Sequence, residues 1–321
     1  MPKPIIVHFI GTGAAAPFND KLFPCIALRY DNYLILFDVG EGCQFGLFRK
    51  KIHPVKSHLI VLISHFHADH TVGLVGLLHT LKISGKGDVI TIIGPNGLRE
   101  FIQNIKEVFL LSKTPYKLAL IEIDTSNIRM GETIIIYEEM NFVVKAFKTI
   151  HDVPSIGYIF EERRIVKFNA KKAEMLGIPR TSIRRKLLEG KEIKLSDGRI
   201  IRPEDVIEIM PGRKIVYTGD TRPLYECIPI LKNADLLIHD ATFLRKHDIE
   251  RAEKRYHSTI EEAIEIAKKA NARILALVHI SPRYRREEIR EAVQKMLDKI
   301  IEKGEVPPKI ILPEDGESLV I

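Results

Sequence analysis

Short apolar runs bounded by turn residues recur along the whole chain and predict β-strands. These runs are "PIIVHFIG", "YLILFDVG", "HLIVLIS", "VITIIG", "KLALIEI", "TIIIYEE", "FVVKAF", "KIVYTGD", "DLLIHD", "RILALVH" and "KIILP". Towards the C-terminus, apolar residues recur at helical spacing from Ile260 and again from Ile289, and Ser258 with Glu261 predicts a capping box before the first of these helices. The alternation predicts sheets covered by helices, an α/β layered fold.

The segment 162–202 interrupts this alternation. It contains no predicted strand, and its thirteen Lys and Arg residues against five acidic residues give it a net charge of +8, whereas the whole chain carries +7. A solvated loop would explain a charge run without any function. A surplus confined to one insertion nevertheless favours contact with a polyanion. We therefore predict one domain over 1–321 with a flexible inserted arm at 162–202.

Composition narrows the class of protein. The chain has 321 residues, of which 45% are hydrophobic, so it can bury a large core. Cys25, Cys43 and Cys227 are odd in number and far apart, which predicts neither a disulfide framework nor a sulfur zinc site. The N-terminal apolar run ends at a glycine turn and no stretch approaches a membrane span, so we expect a cytoplasmic protein without a membrane partner.

The stretch "SHFHADHTVGL" places four metal-type side chains within six residues after a predicted strand: His65, His67, Asp69 and His70. The two histidines two positions apart point to one side of an extended chain, and the other two residues follow after the chain turns. One loop thus offers ligands to two neighbouring metal ions. Imidazole and carboxylate ligands without thiolate suit a catalytic zinc site with open positions.

Further ligands of such a site should also follow strands. His151, Asp220 and His279 each close an apolar run. A lone histidine at a strand end is more often structural, but three such residues after the histidine loop favour metal ligands. The remaining histidines, at positions 8, 53, 58, 79, 239 and 247, lack this context and are interpreted as structural.

The chain resembles the metallo-β-lactamase superfamily, and more closely its tRNA 3′-processing endoribonucleases, the tRNase Z family. The stretches that carry the resemblance are "FIGTGAAAP", "FDVGEGCQ", "SHFHADHTVGL", "HDVPSIGYIFEE", "YTGDTRP", "LLIHDATF", "YHSTIEEAIEIAKKA" and "HISPRY". The histidine loop and "GDT" occur across the superfamily. The "HST" and "HISPRY" stretches and the basic insertion favour the tRNA enzymes.

The resemblance implies an αβ/βα sandwich of two related halves with a di-zinc site at the common edge of the sheets. Matched motif by motif, one zinc ion is held by His65, His67 and His151, the other by Asp69, His70 and His279, and Asp220 bridges the two. The implied reaction is hydrolysis of precursor tRNA that leaves a 3′-hydroxyl on the tRNA and a 5′-phosphate on the trailer. The implied proton acceptor is Asp69, and His257 of "HST" would donate a proton to the leaving oxygen or stabilise it.

Contacts with the RNA are expected at two places. Ser281, Arg283 and Tyr284 of "HISPRY" follow a metal ligand, where they would hold phosphates beside the cut. The stretch "LGIPRTSIRRKLLEG" resembles the arm with which the family grips the tRNA elbow, although Thr181-Ser182 replaces the family's Gly-Pro. The cations expected to contact tRNA there are Arg180, Arg184, Arg185 and Lys186.

Short members of the tRNase Z family are homodimers in which the arm of one subunit clamps the tRNA cut by the other, and the resemblance implies the same for this chain. Two alternatives remain. Another hydrolase of the superfamily, such as a small phosphodiesterase or a thioester hydrolase, would share the zinc ligands but has little use for the basic arm. A non-catalytic RNA-binding protein would have no need for the full set of ligands.

Overall fold

A computed structural model of the chain describes residues 3–15, 21–111 and 113–321. Pro17 of the "FIGTGAAAP" motif lies outside these ranges. The strands are β1 (Ile5–Gly11), β2 (Cys25–Tyr30), β3 (Tyr33–Phe37), β4 (His58–Leu62), β5 (Val89–Pro95), β6 (Lys117–Ile123), β7 (Ile134–Glu138), β8 (Phe142–Lys148), β9 (Ile156–Glu162), β10 (Ile165–Phe168), β11 (Ile193–Lys194), β12 (Ile200–Ile201), β13 (Ile207–Met210), β14 (Lys214–Tyr217), β15 (Leu236–Asp240), β16 (Ile274–Val278), β17 (Lys309–Ile311) and β18 (Ser318–Val320).

Most helices pack on the outer faces of the two sheets, and others belong to the inserted segment. They are α1 (Cys43–Arg49), α2 (Ala68–Thr71), α3 (Gly73–Ile83), α4 (Leu98–Val108), α5 (Ala170–Met175), α6 (Ile183–Leu188), α7 (Pro203–Val206), α8 (Ile228–Leu231), α9 (Arg245–Lys254), α10 (Ile260–Lys269) and α11 (Arg286–Glu302), with single 3₁₀ turns at Pro54–Lys56, Thr125–Asn127 and Tyr225–Cys227. Among the described residues, none of these helices combines the length and the apolar character needed to cross a bilayer.

Two seven-stranded sheets follow the same plan, the first built by the N-terminal part of the chain together with β18, and the second by β7–β9 and β14–β17. The first sheet has the order β18-β1-β2-β3-β4-β5-β6 and the second the order β17-β16-β15-β14-β9-β8-β7. In both sheets, antiparallel pairs give way to parallel pairs joined through helices. This repetition confirms the expected pair of related halves.

Three apolar layers hold the sandwich together. Phe37 of the first sheet and Tyr158 of the second belong to one buried cluster between the sheets. Leu77 of α3 packs in a second cluster outside the first sheet, and Ile264 of α10 packs in a third outside the second sheet. Each fully buried side chain of this kind stabilises the fold by about 1.5–3 kcal/mol. The result is the predicted αβ/βα sandwich.

The helix that begins at Ile260 is present, but its capping box lies one residue later than predicted. Thr259 Oγ1 accepts a hydrogen bond from the backbone N–H of Glu262 at 3.2 Å, and the Glu262 carboxylate accepts the N–H of Thr259 at 2.9 Å. The hydroxyl of Ser258 instead donates to the carbonyl of Thr221 at 2.6 Å. The Ser258 hydroxyl therefore bonds to the loop that carries Thr221 and does not cap the helix.

The inserted segment is folded, so the prediction of a stretch without strands is wrong. Strand β10 pairs with β13, β11 pairs with β12, and α5, α6 and α7 pack with them. The buried residues of this unit are Ala173, Ile178, Leu187, Ile193, Ile201 and Val206. The unit leaves and re-enters the second sheet at one point, because the N–H of Glu162 donates to the carbonyl of Arg213 at 2.9 Å.

The cysteines differ from expectation in one respect. Cys25 on β2 and Cys43 at the start of α1 form a disulfide, so the prediction of none is wrong. The hairpin of β2 and β3 folds the chain back and brings their Cα atoms to 5.8 Å despite a separation of 18 residues. Cys227 is free and buried, in agreement with its interpretation as a small core residue.

Candidate metal centre and active site

The loops that follow four strands meet at one edge of the sandwich. His65 and His67 follow β4, His151 follows β8, Asp220 follows β14, and His279 follows β16 directly. Asp69 and His70 lie on the short helix α2. The structure brings all seven of these side chains together, in overlapping groups of three whose potential ligand atoms lie within 4.8 Å of one another.

Three imidazole nitrogens converge in the first group. Nδ1 of His67 lies 3.1 Å from Nε2 of His65 and 3.3 Å from Nε2 of His151. In a tetrahedral zinc site with bonds of about 2.0–2.1 Å, ligand atoms lie about 3.3–3.4 Å apart. The spacing of these nitrogens therefore matches three ligands of a single cation.

A second group lies beside the first and shares a carboxylate with it. Oδ2 of Asp69 lies 3.3 Å from Nε2 of His279 and 3.7 Å from Nε2 of His70. Oδ2 of Asp220 lies 3.2 Å from Nε2 of His70, 3.5 Å from that of His279 and 3.8 Å from that of His65. Asp220 thus stands between the two groups.

In four of the imidazoles, the ring nitrogen that points away from the middle of the metal pocket has a polar partner within hydrogen-bonding distance. The partners of these Nδ1 atoms are Ser64 Oγ for His65 at 2.9 Å, Asp38 Oδ2 for His70 at 2.7 Å, Tyr256 O for His151 at 3.1 Å and Thr242 Oγ1 for His279 at 2.9 Å. Such partners fix the ring and leave a lone pair on the opposite nitrogen, as in histidines that bind metals. Nε2 of His70 is buried and has no hydrogen-bond partner among the described residues, which a cation would explain.

Asp38 organises this outer layer, and the reasoning from sequence did not assign it a role. Its buried carboxylate accepts the N–H and the hydroxyl of Ser64, both at 2.7 Å, and the hydroxyl of Tyr217 at 2.6 Å, besides the bond to His70. An acidic residue directly after the buried strand β3 was the signal that could have found it. Asp152 was missed as well, and its Oδ1 lies 3.2 Å from Nε2 of His151.

Burial favours the unprotonated form of two imidazoles of the first group, those of His65 and His151. Burial lowers the pKa of His65 well below its ordinary value and also lowers that of His151. Burial opposes the charged form of Asp69, but the bond to His279 and the charge of His70 outweigh it and hold the Asp69 pKa at about 2. His70 differs from His65 and His151, because its burial is outweighed by the carboxylates of Asp220 and Asp38, which raise its pKa well above the ordinary value. Neutral imidazoles and ionised carboxylates are the forms that bind cations, so a cation would have to displace the proton of His70.

His257 lies at the side of the pocket with its ring stacked on that of His279 at 5.2 Å between centroids. Its Nδ1 lies 2.8 Å from Oδ2 of Asp240, which is fully buried. Burial disfavours a charged imidazole, but the Asp240 carboxylate outweighs it and raises the pKa of His257 to about 9. The contact with Asp240 therefore favours the protonated form of this histidine and involves Nδ1, not Nε2.

The "HISPRY" residues lie next to this centre and line a cavity of about 450 Å³. Nε of Arg283 donates to Oγ of Ser281 at 3.0 Å, and the guanidinium lies over the ring of Phe243 at 5.6 Å. The hydroxyl of Tyr284 donates to Asp248, and burial together with this bond raises its pKa. Tyr284 also lines this cavity, but its hydroxyl is engaged with Asp248, and Nη1 of Arg283 lies 3.5 Å from the same carboxylate.

The four cations predicted to contact tRNA lie in the inserted unit. Arg180 pairs with Glu174, and Arg185 pairs with Glu189 at 3.1 Å. Arg184 differs, because its guanidinium donates to the backbone carbonyls of Ile178 and Pro179 and so stabilises the turn before α6. Lys186 is exposed.

The chain and its structure are similar to those of known proteins. A family model of the beta-lactamase superfamily domain matches residues 206–280, and one of the anti-Pycsar protein Apyc1 matches residues 5–176. The chain is similar to ribonuclease Z of Saccharolobus solfataricus, with 35% identity over 99% of both chains, and to that of Sulfurisphaera tokodaii, with 38% identity over 87% of this chain and 89% of the other. Its structure is similar to that of human tRNase Z, short form, with a TM-score of 0.67 and 24% identity over 98% of both chains.

The fold and the convergent histidines and aspartates define a metal-binding hydrolase of the β-lactamase superfamily. The Apyc1 model ends at residue 176, whereas the ribonuclease Z relatives align over nearly the whole length of both proteins. The chain belongs to the ribonuclease Z family.

Proposed function

We propose that the protein is an endoribonuclease that removes the 3′ trailer from precursor tRNA and leaves a 3′-hydroxyl on the tRNA and a 5′-phosphate on the trailer. The observation that carries this proposal is the convergence of seven nitrogen and oxygen donors at one edge of the sandwich, in a chain of the ribonuclease Z family. The basic inserted unit supports a polyanionic substrate.

The proposed cofactors are two Zn²⁺ ions per subunit. One would be held by His65, His67 and His151, the other by Asp69, His70 and His279, with Asp220 between them. The spacing of the donors and the absence of thiolates in these groups suit catalytic zinc. When bound, two such ions supply a water acidic enough to react at neutral pH and neutralise charge that develops on the phosphoryl group.

The residues of the chain would move the protons. Asp69 accepts the proton of the attacking water, and the N–H of Ala15, 3.1 Å from Asp69 Oδ2, helps to hold the carboxylate. Nε2 of His257 donates a proton to the 3′ oxygen as its bond to phosphorus breaks. Asp240 accepts the Nδ1–H of that ring, and its negative charge stabilises the protonated imidazole.

The folded unit that contains the segment 162–202 is proposed to bind the body of the tRNA. Its cations Arg180 and Arg185 are exposed and pair only with acidic residues of the same unit. Exposed pairs of this kind stabilise a protein by about 0–1 kcal/mol, so RNA phosphates can replace the acidic partners. Ser281, Arg283 and Tyr284 are proposed to contact phosphates near the cut.

We also propose that the protein is a homodimer in which each arm serves the active site of the other subunit. Exposed apolar side chains on two adjoining helices, Phe45 and Phe48 of α1 and Val72 at the start of α3, support a contact between subunits beside the metal pocket. We expect the enzyme to act in the cytoplasm together with its tRNA substrate.

The direct test is incubation of the purified, zinc-loaded protein with a precursor tRNA labelled at its 5′ end. We expect one cut at the 3′ side of the acceptor stem, a 3′-hydroxyl on the tRNA and loss of activity with chelators. Hydrolysis of bis(p-nitrophenyl) phosphate without any cleavage of precursor tRNA would favour a phosphodiesterase of small substrates instead. Binding of tRNA without hydrolysis of either substrate would favour the non-catalytic alternative.

A further inference from the structure

Arg222 follows the "GDT" sequence of Asp220 and makes contacts that neither the metal pocket nor the arm explains. Its Nη1 donates to the backbone carbonyl of His257 at 2.6 Å. Both terminal nitrogens also donate to the carboxylate of Glu262, at 3.2 and 3.0 Å. The side chain of Arg222 is 17% exposed and that of Glu262 is 7% exposed, so this pair is largely withdrawn from solvent.

The segment around His257 needs such a support. Tyr256 has a φ of +57°, in the left-handed region that a residue with a side chain adopts at a cost. The carbonyl of Tyr256 accepts a hydrogen bond from Nδ1 of His151 at 3.1 Å, and the carbonyl of His257 accepts one from Arg222. Two successive carbonyls are thus held from outside the loop, while Asp240 holds the imidazole ring.

Arg222 and its neighbour Thr221 also form hydrogen bonds with Ile150, the residue before His151. The N–H of Arg222 donates to the carbonyl of Ile150 at 2.9 Å, and the N–H of Ile150 donates to Oγ1 of Thr221 at 3.1 Å. Arg222 therefore lies where the loops of Asp220, His151 and His257 join. A displacement of its guanidinium would move the backbone of His257 relative to the metal ligands.

We propose that Arg222 is a positioning residue that sets the place of His257, and hence of the proton it donates, relative to the scissile phosphate. This inference rests on the proposed function, in which the bond between phosphorus and the 3′ oxygen breaks, its electron pair passes to that oxygen and a proton moves there from Nε2 of His257. Arg222 itself contacts neither the predicted metal ligands with its side chain nor the reacting atoms. Its effect is confined to the geometry of proton transfer.

The variants Arg222→Gln and Arg222→Lys test this role in single-turnover cleavage of precursor tRNA by the zinc-loaded protein. We expect the glutamine variant to cleave roughly 10- to 100-fold more slowly, because a misplacement of about 1 Å can cost about 100-fold. Zinc content and tRNA affinity should stay at the parent values, and lysine should recover part of the rate. Arg245→Gln is the matched control, since Arg245 approaches the same Glu262 at 4.0 Å but is not among the residues bonded to His257.

A substrate with sulfur in place of the scissile 3′ oxygen separates positioning from general damage, because a thiolate leaves without a proton. The rate loss of Arg222→Gln, and that of His257→Ala, should nearly vanish on this substrate. The double variant should lose little more on the oxygen substrate than His257→Ala alone. Equal losses on both substrates, or additive losses, would overturn the role of Arg222. If the glutamine variant does not fold, the rates of Arg222→Lys on the oxygen and sulfur substrates test the role of Arg222 in the same way.

Different results would refute the proposed function and the proposed role of Arg222. If the parent protein cuts neither precursor tRNA nor its sulfur analogue, the assignment as a tRNA-processing enzyme is wrong. If the parent cuts both and His257→Ala prefers the sulfur analogue while Arg222→Gln does not, the function stands and the role of Arg222 is refuted.

Discussion

Oδ2 of Asp240 lies 2.8 Å from Nδ1 of His257, and the same oxygen accepts the N–H of Thr221 at 3.0 Å. One buried carboxylate therefore ties the histidine to the loop that carries Asp220. Asp240 is fully buried and raises the pKa of His257 to about 9, which favours a protonated imidazole beside an ionised carboxylate. His70 has a buried carboxylate partner of the same kind, Asp38 at 2.7 Å, so experiment has to distinguish a proton donor from a metal ligand at position 257.

The first prediction concerns that distinction. His257→Ala should lower the single-turnover rate on precursor tRNA by about 10²- to 10⁴-fold, the usual contribution of general acid catalysis. Zinc content, measured by elemental analysis, should remain near that of the parent. Asp240→Asn should give a smaller loss, since the ring would keep its place with a weaker partner. A parallel loss of zinc in His257→Ala would mean that this histidine is a ligand.

The second prediction concerns metal content. The purified protein should bind about two zinc ions per chain, as expected for two sites with N and O ligands. His65→Ala and His279→Ala should each lower the content by about one ion, because each removes a ligand from a different group. His247→Ala, an alteration outside the pocket, is the control. Full activity after removal of all metal by a strong chelator would refute the assignment.

Residues of this site could be predicted from the sequence where they lie close together along the chain, but not where they act through contacts with distant residues. The ligands of the histidine loop were predictable because they lie within six residues directly after a strand. The side chains of Asp38 and Arg222 act through contacts with residues 26 to 179 positions away, which no local pattern reports. The strands of the arm were missed because runs of two to four residues among many charges show no period of two.

The capping box shows the same limit within a few residues. Both Ser258 with Glu261 and Thr259 with Glu262 satisfy the spacing of a capping box. The hydrogen bond from Ser258 to the carbonyl of Thr221 decides between them. Since Thr221 lies on another strand-end loop, only the tertiary structure contains the information that selects Thr259.

The third prediction concerns the base of the arm, where Arg213 binds Glu162 through two nitrogens at 2.7 Å. The same guanidinium reaches the carbonyls of Lys3 and Ile321, and the two side chains are 18% and 2% exposed. Arg213→Met should lower the free energy of unfolding by about 3–5 kcal/mol, because it leaves a buried carboxylate unpaired. Denaturant unfolding measures this, and Arg199→Met, in an exposed pair, should change it by less than about 1 kcal/mol.

The same pair gives this prediction a pH dependence with a defined sign. Burial alone would raise the pKa of Glu162, but the hydrogen bonds from Arg213 outweigh it and hold the pKa below its ordinary value. The stability from this carboxylate is therefore present above the unfolded pKa of about 4.3 and is lost as the pH falls through the folded value. Glu162→Gln should flatten the acid limb of the stability curve. An acid limb as steep as that of the parent would contradict this.

The fourth prediction concerns sharing of arms between subunits. A His65→Ala chain with an intact arm and a chain without an arm should each cleave precursor tRNA poorly. Mixed under conditions that exchange subunits, they should form a heterodimer that regains up to about half of the parent activity, because the intact site then faces an intact arm. Phe45→Glu with Phe48→Glu should yield monomers in sedimentation experiments. Failure of the mixture to recover activity, with heterodimers present, would show that each arm serves its own site.

The fifth prediction separates binding by the arm from catalysis, and the structure defines a clean deletion. Because Glu162 and Arg213 already pair across the base, residues 163–212 can be replaced by an Asn-Gly turn that closes β9 and β14 into a hairpin. Cutting at 176–194 instead would remove part of the small core and expose the rest. The hairpin variant should bind precursor tRNA more weakly and keep hydrolysing bis(p-nitrophenyl) phosphate if the parent does so.

A charge-only variant, Arg180→Gln with Arg185→Gln and Lys186→Gln, tests whether the arm binds through phosphates. Arg184 is left unchanged because it stabilises the backbone before α6. Each lost phosphate contact should reduce the slope of log affinity against log salt by about 0.7–0.9, so the slope should become shallower by about 2–3 if all three cations contact RNA. The matched control replaces Lys295, Lys299 and Lys303 of the last helix and its end, which lie outside the arm. An unchanged affinity and slope in the charge-only variant would show that these arm cations are merely solvated, and the tRNA would then have to be held elsewhere.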